Sequence, residues 1–414
     1  MTGHTFGQDE LERMLTHELH DRADGLGGAG FGFADVKGRA GRIRRNRRLA
    51  AGAGVAAALA VVIPTVMTLT GSVDPQRDIQ PAPSPDAPLE IARTTLAVDG
   101  LERGDAPAVE YFTEAGVVLP GKGEQPLPDS LQALVPSPAD GGWLALGPSR
   151  DELRYLQEDF SGNGSDPATG LVTTVDRSRF ATVMTVGGEQ TLFVRSTTDR
   201  SVGQAWDFPE LPYLEVVDFV AKDTVLYQTA ADGAVQSIGL AVDGADGGPV
   251  TREIPGDYVK AISADEVNGL VAVQTETHQD ASGCFGVIDT RGDLGTPIWE
   301  TCDNSLGEFS PSGRFVLAST PYGDAYGIPG VDVLDARTGS LVSRFSQASN
   351  THIGLLNVVW ESDDTFLAVA AEGQTFRVLR FGVDGTLEEA TVPIRGEAFA
   401  DAPLYFGRDR VRGY

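Results

Sequence analysis

Most of this 414-residue chain reads as an all-β fold, and three observations carry that reading. Glycine is abundant, at 50 residues, and clusters with Asp, Ser and Pro in short turns. Lysine, a helix former, is scarce, with four against 28 arginines, and aromatics make up only 7% of the chain. From residue 91 onward, short apolar stretches return at near-regular intervals, the pattern of many short strands rather than a few long helices.

One stretch stands outside that pattern. Leu49 to Gly71 carries no charged side chain across 23 positions. As a helix rising ~1.5 Å per residue it would span roughly 35 Å, enough to cross a bilayer core. Arg39, Arg42, Arg44, Arg45, Arg47 and Arg48 stand immediately before it, while Asp74, Arg77 and Asp78 follow it. Arginine-rich flanks stay cytoplasmic, so the N-terminus is expected inside and the C-terminus outside. A cleavable signal peptide would need a 48-residue n-region, and no A-x-A site follows the apolar run. The residues after Arg47 and Arg48 do not continue as a twin-arginine export signal, and no cysteine lies near for a lipid anchor. The expectation is an uncleaved, single-pass anchor in the cell membrane.

Before the anchor, residues 1–48 form a tail. Asp9 and Glu12 resemble a capping-box start, and Leu11, Met14, Leu15 and Leu19 fall on one helical face. A short amphipathic helix over 9–24 follows, ending before the glycines at 25, 27, 28 and 30. That face is either a solvated tail's stripe or a docking surface for a cytoplasmic partner. After the anchor, residues 72–90 hold Pro75, Pro81, Pro83, Pro85 and Pro88, an extended tether that spaces a domain from the membrane.

Residues 91–414 carry the repeat. Each copy is an apolar strand end, a short Asp/Ser/Gly turn and a second apolar strand. The leading residues are Val135, Val175, Phe219, Ile262, Phe309 and Trp360, at steps of 40, 44, 43, 47 and 51. A truncated copy begins at Phe406, 46 residues after the sixth. Four short strands per 40–50 residues, repeated, predict a β-propeller. Six copies and one split copy give seven blades, within a range of six to eight. The split blade is expected to take two strands from residues 402–414 and two from Val109–Thr113 and Val117–Leu119, which would leave the ring no open edge.

The fifth copy, Phe309-Ser-Pro-Ser-Gly-Arg-Phe-Val-Leu, resembles the repeat of bacterial WD40-like propellers, including TolB-type domains. Of that family's Gly-His and Trp-Asp pairs, only Trp206-Asp207 is present. The order of tail, basic run, single span, linker and propeller also resembles membrane proteins that accompany alternative sigma factors in high-GC bacteria. The zinc-binding type of anti-sigma domain carries a His-x3-Cys-x2-Cys motif, and this tail has no cysteine, so the resemblance does not support a zinc anti-sigma role and leaves a zinc-free one open.

Cys284 and Cys302 flank a stretch that reads as a hairpin turning near residues 291–294, which sets them opposite each other near its open end. Outside the membrane such a pair is expected to close a disulfide, more as a staple than as a redox switch.

A search for chemistry finds little. The expected outer domain has two histidines, His278 and His352, and no G-x-S-x-G, H-E-x-x-H or P-loop pattern. The carboxylate pairs at Glu210 or Glu215 with Asp218, and at Asp363-Asp364, read as solvated surface in a domain with 52 acids. The Gly/Asp stretches 161–166 and 243–248 lack the ligand spacing of a calcium loop. The sign of charge is uneven. Residues 1–72 come to +2, whereas the rest carries 23 basic and 52 acidic groups, a net −29 that excludes nucleic acid as a partner. The functional expectation is a non-enzymatic binding or sensing module with a protein or glycan ligand on the propeller and no cofactor or metal. Its tail could signal to a cytoplasmic regulator such as a sigma factor. Two other readings stay open: a cell-surface propeller enzyme, a glycoside hydrolase or lyase, and a scaffold for envelope assembly.

Overall fold

Strand pairing follows chain order almost without exception. The computed structural model describes residues 91–407 apart from 128–130, 132, 138–140, 148–150, 187–188, 200–202, 209–212, 232–233, 244–248, 278–282, 321–326, 349–350 and 397–401. The apolar run 49–71, the six arginines of its basic flank, the tail face of Leu11, Met14, Leu15 and Leu19, and His278 all lie outside the described residues. Among the described residues no helix is long and apolar enough to cross a membrane.

The strands group as antiparallel meanders. β1 (Ala92–Leu96) precedes β2 (Tyr111–Thr113), β3 (Gly116–Leu119) and β4 (Gly123–Gln125), which belong to the closing sheet, and the numbered meanders begin with β5. Next come β5 (Ala133–Ser137), β6 (Gly142–Leu146), β7 (Glu152–Leu156) and the long β8 (Gly162–Thr173). The first half of β8 pairs with β7 and its second half with β9 (Arg179–Val186), which continues into β10 (Glu189–Ser196) and β11 (Gly203–Phe208). Three further meanders are β12 (Tyr213–Ala221) to β15 (Pro249–Glu253), β16 (Lys260–Asp265) to β19 (Trp299–Thr301), and β20 (Ser305–Phe309) to β23 (Leu341–Gln347). Within them lie β13 (Thr224–Ala231), β14 (Ala234–Asp243), β17 (Leu270–Thr277), β18 (Gly283–Asp289), β21 (Phe315–Ser319) and β22 (Gly330–Asp335). The sixth is β24 (Ile353–Trp360), β25 (Thr365–Glu372), β26 (Thr375–Gly382) and β27 (Leu387–Glu389), with β28 (Ile394–Arg395) also on β26. The last strand, β29 (Leu404–Tyr405), returns to pair with β2.

Local chemistry explains the regularity. Among the described residues the turns after β8, β16 and β20 coincide with repeat copies in the sequence, and small polar side chains close them. Asp176 accepts the amide of Ser178, Asp265 that of Val267, and the Ser310 hydroxyl that of Phe315. In the fifth copy Gly313 sits at φ +68°, a conformation a β-branched residue would not tolerate.

The closing sheet differs from expectation in its division. Among the described residues three of its strands come from residues 111–125 and one from 404–405, where two from each side were expected. Residues 111–125 contain two reverse turns, the second with Gly121 and Gly123 at positive φ, so that stretch folds back twice.

Among the described residues the apolar side chains form seven clusters, and each bridges two successive meanders. Phe180 and Leu153 join the first to the second, Trp206 and Phe219 the second to the third, and Leu226 and Ile288 the third to the fourth. Val287 and Phe309 join the fourth to the fifth, and Phe345 and Phe381 the fifth to the sixth. Val378 and Phe406 join the sixth to the closing sheet, and Phe112 and Trp143 carry on from there to the first. A sequence of four-stranded meanders packed face to face, whose last sheet is built from both ends, is a β-propeller.

One feature of the N-terminal side was not expected. β1 pairs in parallel with β23, from Ala92 opposite Ser343 to Leu96 opposite Gln347. The chain then crosses to the sixth meander, where Glu102 and Gly104 exchange backbone hydrogen bonds with Glu389. Arg380 donates to the carbonyls of Asp105 and Ala106 while pairing with Glu361 and Glu388, and Glu361 accepts the amide of Ala108 at 2.7 Å. Residues 92–108 thus form a strap over two adjacent meanders before entering β2.

Candidate functional site

Where the first strands of the meanders end, the described residues enclose a cavity of about 230 Å³. Several meanders contribute: Val109, Glu110, Phe406 and Gly407 from the closing sheet, Thr173 to Val175 from the end of β8 and its turn, Asp218 and Phe219 from β12, and Ala264 to Glu266 from the end of β16 and its turn. Glu308 and Phe309 of β20 and Val359 and Trp360 of β24 complete the wall. A bulge precedes the lining residues in β8, β12, β16, β20 and β24, at Thr169/Val172, Val216/Asp218, Ala261/Ser263, Leu306/Phe309 and Leu356/Val359. An extra residue in a strand shifts which side chains face inward, so these bulges set what the cavity sees.

Its electrostatics are one-sided. The lining holds five carboxylates, Glu110, Asp218, Asp265, Glu266 and Glu308, against one guanidinium, Arg177. Arg177, at φ +54° in the turn after β8, reaches Glu110 at 3.3 Å. Asp218 is 4% exposed and bridges two meanders, accepting the amides of Phe219 at 2.9 Å and Ala264 at 2.6 Å. Glu266 reaches past the third meander to accept the amide of Val175 at 2.6 Å. Burial pushes the Glu266 carboxyl above its usual range, the amide of Val175 opposes the shift, and the charges of Asp176 and Asp218 add to it. Neighbouring Asp176 is driven the other way, held well below the carboxylate range by Lys222 at 2.6 Å and by Ser178.

Asp265 is the exception among these acids. It is 3% exposed, and its Oδ1 accepts the amide of Val267 at 2.8 Å. Its Oδ2 is buried with no hydrogen-bond partner among the described residues. The carboxylate lies against the bare Cα of Gly313, where a Cβ would come within 1.9 Å of Oδ2.

Cys284 and Cys302 form the expected disulfide, with Cα atoms 4.1 Å apart. They sit beside the Phe285–Thr301 pair of β18 and β19, at the open end of the hairpin. The pair belongs to the edge of the fourth meander and does not line the cavity.

Reading Asp218 as solvated surface was wrong, because a bulge and two amide bonds bury it between meanders. Glu215 accepts a hydrogen bond from Gln228, and Asp363, in its turn, accepts the amide of Ser312 from the neighbouring meander. Of the cavity acids only Asp218 stood out individually in the sequence, yet the repeat held a signal: Asp218 and Glu308 directly precede the leading residues Phe219 and Phe309. No group of three or more His, Cys, Asp or Glu side chains among the described residues is placed to hold a metal ion.

No protein-family model and no curated protein matches this sequence. Among solved structures it is similar to a prolyl endopeptidase at 13% identity, covering 73% of this chain and 49% of that one with a TM-score of 0.48. It is likewise similar to an uncharacterized protein from Listeria monocytogenes EGD-e, at 10% identity over 65% of this chain and 85% of that one, with a TM-score of 0.45. A third is a putative TolB from Agrobacterium tumefaciens, at 12% identity over 71% and 91% of the two chains, with a TM-score of 0.37. The fold assignment rests on this chain's own strand order and packing.

Proposed function

We propose that this chain is a membrane-anchored, extracytoplasmic propeller of seven blades that acts as a non-enzymatic binding or sensing module and takes its ligand in the cavity at the ends of the first strands. The observation that carries this reading is convergence. Several meanders place side chains on one small cavity, and most of the cavity's acids are already committed to backbone amides or to Arg177, which suits recognition better than proton transfer. The seven inter-meander clusters support the blade number, since each sheet packs on two neighbours. The disulfide fits an oxidising compartment, and the uncharged run 49–71 with its arginine flank gives the orientation. In this reading the strap at 92–108 is where the tether from the membrane meets the propeller, and the tail 1–48 carries the signal to a cytoplasmic regulator.

Topology is tested by reporters that work only outside the cytoplasm. A fusion at residue 90 is expected to be active and one at residue 40 inactive, and the reverse would overturn the orientation. For signalling, the peptide 1–48 is expected to retain a specific cytoplasmic protein that a scrambled peptide does not, and equal recovery would sink that role.

A further inference from the structure

We infer that the cavity binds an organic cation, an ammonium or guanidinium group at the tip of a flexible chain, with the Asp265 carboxylate as its counter-charge. This rests on the binding-module reading and names the ligand class for it. Two independent observations lead there. The lining carries five carboxylates and one guanidinium, and that guanidinium is already paired with Glu110. Separately, Asp265 is almost fully buried, lines the cavity, and keeps Oδ2 without a partner among the described residues. A buried carboxylate oxygen lacking a hydrogen bond is costly unless something positive comes to it, and a cation in the cavity removes that cost.

The type of cation follows from the cavity. A compact metal ion needs several convergent oxygen ligands, and no group of three acids among the described residues is placed to supply them. An alkylammonium or guanidinium presents both charge and apolar stem, and the wall offers both complements, with Phe219, Phe309, Trp360 and Phe406 beside the acids. A volume of about 230 Å³ admits the end of one side chain or of a polyamine, and not a folded peptide segment. The carboxylate's seat depends on Gly313, whose missing Cβ leaves the space that Asp265 occupies.

The experiment uses the purified full chain in detergent. Spermidine and a tetralysine peptide are titrated at low and high salt, followed by Trp360 emission, defined as the difference between the parent and Trp360→Phe, and by calorimetry. Saturable binding is expected that weakens with salt and falls about tenfold or more in Asp265→Asn, while Glu158→Gln, at an exposed acid outside the cavity, binds as the parent does. Tighter binding of tetralysine would mark a protein side chain as the ligand, and tighter binding of spermidine a free polyamine. Acetylated tetralysine, which lacks the charges, is expected not to bind. Both variants are melted first, because Asp265→Asn should fold at least as stably once the unpaired charge is gone. Equal affinity in Asp265→Asn and the parent, or displacement of the probes by calcium at equal concentration, would overturn the proposal. If neither cation binds but neutral oligosaccharides or acetylated tetralysine change Trp360 emission, the cation class is wrong and the binding module stands. If nothing changes it, the module reading falls as well.

Discussion

The interface between the fifth and sixth meanders and the one that closes the ring solve the same packing problem with unequal means. At the first, Phe345, Phe366, Phe381 and Trp360 interlock, with Phe366 stacked on Phe381 at 4.8 Å and Phe345 edge-on to Phe381 at 5.0 Å. The strap then adds the parallel β1 and the Arg380 network to the same two sheets. The closing sheet is joined to its C-terminal strand by two residue pairs, Phe112 with Tyr405 and Thr113 with Leu404. One ring stack, Phe112 on Tyr405 at 4.9 Å, and the edge-on contact of Tyr111 with Phe406 at 6.4 Å back them. Among the described residues these two interfaces are therefore unequal, the first denser than the second. Opening by local unfolding should begin at the thin side.

The largest test strikes the dense side. Phe366→Ala removes a fully buried ring touching three aromatic neighbours, and a loss of about 3–5 kcal/mol in denaturant unfolding is expected. A loss of less than about 1 kcal/mol would show that this interface does not hold the ring. Away from both interfaces, replacing Cys284 and Cys302 together by serine frees an 18-residue separation and should cost about 3 kcal/mol. Since the bond lies on an edge hairpin, ligand binding at the cavity should survive that double change where the protein stays folded.

The strap offers an intermediate test with a pH signature. Burial works to raise the Glu361 carboxyl, but the Arg380 hydrogen bond, the amide of Ala108 and the Arg380 charge outweigh it and hold the group below its usual range. A carboxyl depressed in the folded state stabilises above the unfolded carboxyl's pKa of about 4.3, and that gain is lost as pH falls through the folded value. Glu361→Gln should therefore lose about 1.5–3 kcal/mol at neutral pH and narrow its gap to the parent below about pH 4. A gap independent of pH would show that the strap is held by backbone pairing alone.

How much of this was visible in the sequence depends on what repeats. The turns were legible because Asp, Ser and Gly recur at a fixed phase beside Phe219, Phe309 and Trp360, and turn chemistry is local. Cys284 and Cys302 were legible because a hairpin's register follows from its turn. The strap was not, since Ala92–Leu96 alternates only weakly and its partner, β23, lies about 250 residues away with an open edge that no local pattern in ARTTL specifies. The cavity acids were hidden by their number. Among 52 acids, Asp218 is marked only by its place directly before a repeat's leading residue, and the bulge that turns it inward leaves no residue-type signature of its own.

The smallest test addresses the thin side and decides the comparison. Tyr405 donates its hydroxyl to the carbonyl of Leu131 at 2.9 Å, tying the last strand to the chain that leads into β5. Tyr405→Phe keeps the stack on Phe112 and removes that single bond, for an expected loss of about 1 kcal/mol. If the closing sheet opens first, hydrogen exchange in the variant should quicken at β2, β3 and β29 and stay unchanged at β24 to β26, because only the local opening has been eased. Faster exchange spread equally over every meander would mean that the ring opens as one unit, and that the dense interface and the thin one share their load.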